Sequence, residues 1–68
     1  MKKTLSNRWC MVRITDAGEA QFWMDTLDVA KTLCLMKAAE VLAIDGDTPA
    51  DYPDWQPMKV KVTIEIEQ

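Results

Sequence analysis

From Met58 to Glu67 the chain alternates without a fault. Met58, Val60, Val62, Ile64 and Ile66 are apolar; Lys59, Lys61, Thr63, Glu65 and Glu67 are polar or charged. A period of two puts the two sets on opposite faces of a strand, one for a core and one for water. A second alternating stretch runs from Arg8 to Thr15, with Cys10, Val12 and Ile14 on one face and Trp9, Met11 and Arg13 on the other. Asp16-Ala17-Gly18-Glu19 follows as a turn, with Gly18 free to take a positive φ. The pattern then resumes over Ala20–Met24, so the first half of the chain reads as a β-hairpin.

The periodicity changes after Met24. From Leu27 to about Ile44 the residues are strong helix formers with no Gly or Pro. Asp25 or Thr26 is placed to cap the first backbone N–H groups, Asp28 suits the positive end of the dipole, and Gly46 is a stop signal. Residues 45–57 carry three prolines and four aspartates and read as a loop. Residues 1–7 are expected to be a loose arm, and 8–68 a single domain.

The expected fold is α+β with ββαβ order: a three-stranded antiparallel sheet, the first strand in the middle, and one helix packed on one face. The opposite face would be open and would carry Trp9, Met11 and Trp23 beside Arg13, Lys59 and Lys61. On a helical wheel, Leu27, Ala30, Cys34, Leu35, Ala38, Val41 and Leu42 make one apolar arc, while Val29, Leu33, Met36 and Ile44 make a second. A helix on a sheet buries only one stripe. The second arc calls for cover: the 45–57 loop with Tyr52 and Trp55 as lids, a second copy of the chain, or another protein.

Composition sharpens this imbalance. The chain has 68 residues and is 49% hydrophobic, a large apolar share for so small a body. Its net charge is −3, which argues against a dedicated nucleic-acid binder. Met1-Lys2-Lys3 opens like a signal peptide, but Thr4–Arg8 offers no apolar segment, and no apolar run approaches the ~18 residues of a membrane span. A cytoplasmic location is expected, with Cys10 and Cys34 as buried free thiols rather than a disulfide.

Several chemistries fall away. There is no histidine, so Ser-His and Cys-His nucleophile systems cannot be built, and two cysteines alone make a poor zinc site. No glycine-rich phosphate loop exists. Asp45-Gly46-Asp47-Thr48-Pro49 starts like a calcium loop, but a proline stands where an oxygen ligand is needed. No enzyme activity, cofactor or metal is expected.

What remains is binding. The residues singled out as partner-binding are Trp9, Met11, Arg13, Trp23, Met36, Asp47, Asp51, Asp54 and Trp55, because aromatic, Met and Arg side chains anchor interfaces and an acidic loop steers basic partners. The expected role is a stoichiometric inhibitor or regulator of a larger protein. A structural homodimer is the first alternative, and a weak single-stranded nucleic-acid binder using the Trp9/Trp23 face is the second. The order hairpin, helix, strand resembles that of small antitoxin-like and phage-encoded inhibitor folds. That resemblance rests on element order alone and implies a phage or mobile-element setting.

Overall fold

The computed structural model describes residues 1–67. Its elements are β1 (Lys2–Ile14), β2 (Ala20–Asp28), α1 (Lys31–Ile44), a short 3-10 turn (Pro49–Asp51) and β3 (Gln56–Glu65). The strands form one antiparallel sheet in the order β2-β1-β3, with the helix on one face. This is the ββαβ arrangement the patterning predicts, with the first strand central.

The β1–β2 turn is tied by Gly18 N–H donating to Thr15 O and Thr15 N–H donating to Glu19 O, both at 2.8 Å. Gly18 takes φ +82°, which only glycine adopts without strain. At the helix C-terminus Asp47 N–H reaches Leu42 O at 2.9 Å and Gly46 N–H reaches Ala43 O at 3.1 Å. With Gly46 at φ +77° this is a Schellman closure, which satisfies the last free carbonyls.

Three boundaries differ from the sequence expectation. First, residues 2–5 are not a loose arm: Lys2, Lys3, Thr4 and Leu5 pair with Glu65, Ile64, Thr63 and Val62. A bulge separates this stretch from the rest of β1, with Asn7 in the left-handed region at φ 55°, which asparagine tolerates better than most residues.

Second, β2 continues to Asp28 and the helix begins a turn later than Leu27. The cause is a large irregularity opposite β1. From Trp9 to Met11 β1 advances two residues while β2 retreats five, from Asp28 to Trp23. Thr26 closes the gap: its Oγ1 accepts from Met11 N–H at 2.9 Å and donates to Trp23 O at 2.7 Å. Its hydroxyl thus stands in for a missing rung of backbone pairing and does not cap the helix. The helix N-cap is Ala30, whose N–H donates to Asp28 Oδ1 at 3.2 Å. Third, β3 starts two residues earlier than Met58, at Gln56.

The faces of the sheet are reversed from the expectation. Residues paired in register share a face. Met11 packs on Cys34 and Ala38 of the helix, with Trp9, Trp23, Leu35 and Trp55 around them. Its partners Trp23 and Pro57, and Lys59 opposite Trp9, therefore lie on the helix side. The aliphatic set lies on the other face: Val12 faces Phe22 and Gln56, Cys10 faces Met58, and Leu5 faces Val62. Among the described residues no helix lies on that face, although Cys10 and Val12 at its centre are buried.

The two helical arcs behave differently. Cys34 and Ala38 of the first arc are buried. The second arc stays open: Leu33, Met36 and Ile44 are 44%, 52% and 83% exposed. The 45–57 loop does not lie over them, because Tyr52 and Trp55 turn toward Met11, Trp23 and Leu42 instead.

Candidate functional site

A cavity of about 370 Å³ opens where the C-terminal end of α1, the 45–57 segment and the β1–β2 pair meet. Met11, Phe22, Trp23, Leu42, Pro49, Tyr52 and Trp55 line it. Its volume falls within the roughly 300–1,000 Å³ of sites that hold small ligands or inserted side chains.

The local structure that positions these groups follows from the sequence. Thr48 and Asp51 form a reciprocal cap on the 3-10 turn: Thr48 N–H donates to Asp51 Oδ2 at 2.8 Å, and Pro49 sets the first residue of the turn. Tyr52 then projects from the end of that turn, and its Oη donates to Asp47 Oδ2 at 2.9 Å. That bond to a carboxylate, together with the carboxylate's charge, pushes the Tyr52 phenol above its ordinary pKa. Trp55 meets Trp23 edge-on, with centroids 6.1 Å apart and planes at 66°. The arrangement matches the quadrupoles of the two rings.

Cations already use the rings. The Arg13 guanidinium carbon lies 5.5 Å from the Trp55 centroid, and Gln21 Oε1 accepts from Arg13 Nε at 3.0 Å. At the far end of the helix Trp9 has two ammonium neighbours, Lys31 at 5.6 Å and Lys59 at 5.9 Å. Both distances suit an attraction to the ring face.

The structure thus gathers part of the expected residue set. Met11, Trp23 and Trp55 line one cavity, Arg13 lies over Trp55, and Asp47 orients Tyr52. Asp51 holds the turn before Tyr52, and Asp54 lies with Arg13 in a shallow cleft beside the hairpin turn. Trp9 is not among the lining residues, and Met36 stands exposed on the outer helix surface. The open aromatic-and-basic sheet face does not exist, since Trp9, Met11, Arg13, Trp23 and Lys59 are on the side of the helix. Within β1–β2, Trp9 pairs with Asp28, and Trp23 with Met11.

Phe22, Leu42 and Pro49 escaped the sequence reading. Leu42 was recognisable as the C-terminal member of the buried arc, and its place beside Gly46 puts it next to the returning loop. Nothing in the local pattern marked Phe22.

Cys10 and Cys34 are both free and buried. Burial pushes the Cys34 thiol up, so it stays protonated. Cys10 Sγ donates to Trp23 O at 3.2 Å, beside the Thr26 hydroxyl. Among the described residues no group of three or more His, Cys, Asp or Glu side chains is placed to hold a metal ion, and no helix is long and apolar enough to cross a membrane.

Among the described residues the architecture is a small α+β domain in which α1 and the 45–57 loop flank an open aromatic cleft at one end of a three-stranded sheet. No protein-family model, curated protein or solved structure matches the chain.

Proposed function

We propose that the chain is a non-catalytic protein-binding module, an inhibitor or regulator that docks a basic segment of a larger protein at the aromatic cavity. The observation that supports this reading is the joining of three aromatic rings, Trp23, Tyr52 and Trp55, in one cavity beside an acidic loop. Asp45, Asp47, Asp51 and Asp54 lie on that loop and no Lys or Arg does. A Lys or Arg side chain has an apolar stem and a charged head. It suits such a site twice, with the stem among the rings and the head among the carboxylates. The Arg13–Trp55 stack is an internal example of the same chemistry. Charge complementarity of this kind mainly sets on-rate and specificity. The free thiols Cys10 and Cys34 fit a reducing, cytoplasmic setting.

The test compares baits. Wild type, Trp55→Ala, an Asp47→Asn/Asp51→Asn/Asp54→Asn triple variant and Met36→Glu are used for capture from a host lysate. Any recovered protein is then titrated against each bait in a salt series. The expected result is a partner held by wild type and Met36→Glu, lost with Trp55→Ala, and bound more weakly by the triple variant and at high salt. A partner that binds all four baits alike would overturn the reading.

A further inference from the structure

We infer that the uncovered aliphatic face of the sheet is a self-association surface, and that its occupant is the same face of a second copy of this chain. This goes beyond the cavity and does not depend on it.

The first observation is the pattern itself. The chain's most regular alternation sends Val60, Val62 and Ile64 to the face without the helix, and Lys59, Lys61, Thr63 and Glu65 to the other. Strands with a strict period of two are built to bury their apolar face. Cys10 and Val12 at the centre of that face are buried, but its outer strands are open: Phe22 is 54% exposed, Met24 and Ile64 48% each. The aliphatic surface spans all three strands, with Phe22 and Met24 meeting Val60 and Val62 around one shallow depression.

The second observation is shape. β2 pairs with β1 only from Trp9 to Ile14, so Lys2–Leu5 and Val62–Glu65 project as a two-stranded ribbon. The radius of gyration is 13.3 Å over extents of 41 × 28 × 22 Å. A compact chain of this length would have a radius of roughly 11 Å. An unsupported two-stranded ribbon is marginal in water. One side of this ribbon is polar and the other carries Leu5, Val62 and Ile64, so a surface laid on the aliphatic side would hold it.

The third observation is area. The chain exposes 5113 Å². A folded monomer of 7.8 kDa would expose about 4,400 Å². The surplus of roughly 700 Å², taken over the whole chain, is of the size that each partner gives up in a standard interface, ~800 Å².

The core explains why a second copy is the occupant. The buried apolar residues are Cys10, Met11, Val12, Cys34 and Ala38, of which only Met11 is large. A core this small leaves a deficit that must be met wherever the chain folds. The one partner present at every synthesis is another copy. The face is also self-complementary. Lys3 and Arg8 are its strand charges, both toward the ribbon, and Arg8 Nη1 is already tied to Ser6 O at 2.8 Å. Two sheets meeting through a twofold axis would bring like aliphatic patches together.

The experiment is light scattering on a sizing column over a concentration series, with wild type, Met24→Glu, Ile64→Glu and Met36→Glu. Met24, Ile64 and Met36 are all about half exposed, so none of the substitutions removes a buried contact of the single chain. The expected result is a mass twice 7.8 kDa for wild type and Met36→Glu down to low micromolar, and a folded monomer for Met24→Glu and Ile64→Glu. A wild-type monomer at every concentration would overturn the inference, as would a dimer dissociated by Met36→Glu and not by the sheet variants. Methionine methyl NMR with a soluble paramagnetic agent decides the matter if a variant fails to fold. Shielding of Met24 and Met58 in wild type with broadening of Met36 supports the sheet face; equal broadening of all three overturns it. The Trp55→Ala comparison reads the cavity separately, so either proposal can fail alone.

Discussion

Thr26→Val tests the account of the β1–β2 irregularity. Thr26 is fully buried (0% exposed), and its Oγ1 both accepts from Met11 N–H and donates to Trp23 O. Valine keeps the volume and the β-branch but removes the hydroxyl. Met11 N–H is then left without its acceptor in a buried site. Such an orphan costs about 1–3 kcal/mol. Trp23 O loses one donor but keeps the Cys10 thiol at 3.2 Å, so its share is smaller. The expected loss is about 2–4 kcal/mol, against roughly 3–10 kcal/mol for a chain of this length. Thr26→Ser is the control. It retains the hydroxyl and deletes one methyl group, for a loss of about 1 kcal/mol.

Urea unfolding at one fixed protein concentration measures both variants, because any self-association would make the midpoint depend on concentration. A Thr26→Val loss below about 0.5 kcal/mol, the size of an ordinary surface change, would refute the bridging role. So would a larger loss for Thr26→Ser than for Thr26→Val. In either case the segment from Met24 to Leu27 would have to be held by packing alone.

Two further predictions concern pH. The Asp28 carboxyl lies 2.8 Å from Lys37 Nζ, and this hydrogen bond chiefly holds its pKa below the ordinary value. A depressed folded pKa gives stability that is fully present above the unfolded value near 4 and is lost as pH falls through the folded value; Lys37→Met should therefore flatten the acid limb of a thermal-unfolding series. Tyr52 behaves oppositely: bonded to Asp47 and raised, it favours the fold below its unfolded pKa near 10, an advantage lost as pH rises through the folded value. Tyr52 is the chain's one tyrosine, so ultraviolet titration should show its midpoint above the ordinary value and should show it fall in Asp47→Asn.

Much of the fold was written locally. The hairpin turn at Gly18, the helix stop at Gly46 and the alternation of β3 each rest on residues within a few positions of one another. The misplaced features depend on distant partners. Lys2–Leu5 carry no alternation of their own and become a strand only because Val62–Glu65 present a matching edge. The Met24–Leu27 stretch looks like a helix start because a threonine hydroxyl serves a helix cap and a strand gap equally well. Its target, Met11 N–H, lies fifteen residues away. In the candidate site, Trp23, Trp55 and Asp47 were legible as residue types but not as neighbours, since the 45–57 segment has no periodicity to aim it.

The reversal of the sheet faces has a physical cause in side-chain size. Both faces of β1 are apolar, so a period of two cannot say which one the helix takes. The helix itself carries the answer. Its innermost residues are Cys34 and Ala38, both small, and small residues leave room for large ones opposite. Met11, Trp9 and Trp23 fill that room, whereas Val12 and Val60 in the same places would leave voids. The rings placed there also satisfy cations that would otherwise sit on an apolar face, as Arg13 on Trp55 and Lys31 and Lys59 on Trp9 show. The helix-side face thus resolves its polar and apolar demands within one chain. The aliphatic face has no such internal partner, because Val60, Val62 and Ile64 offer only area. For that reason the two surfaces call for different occupants: a shaped, charged ligand at the aromatic cavity, and a plain apolar sheet against the aliphatic face.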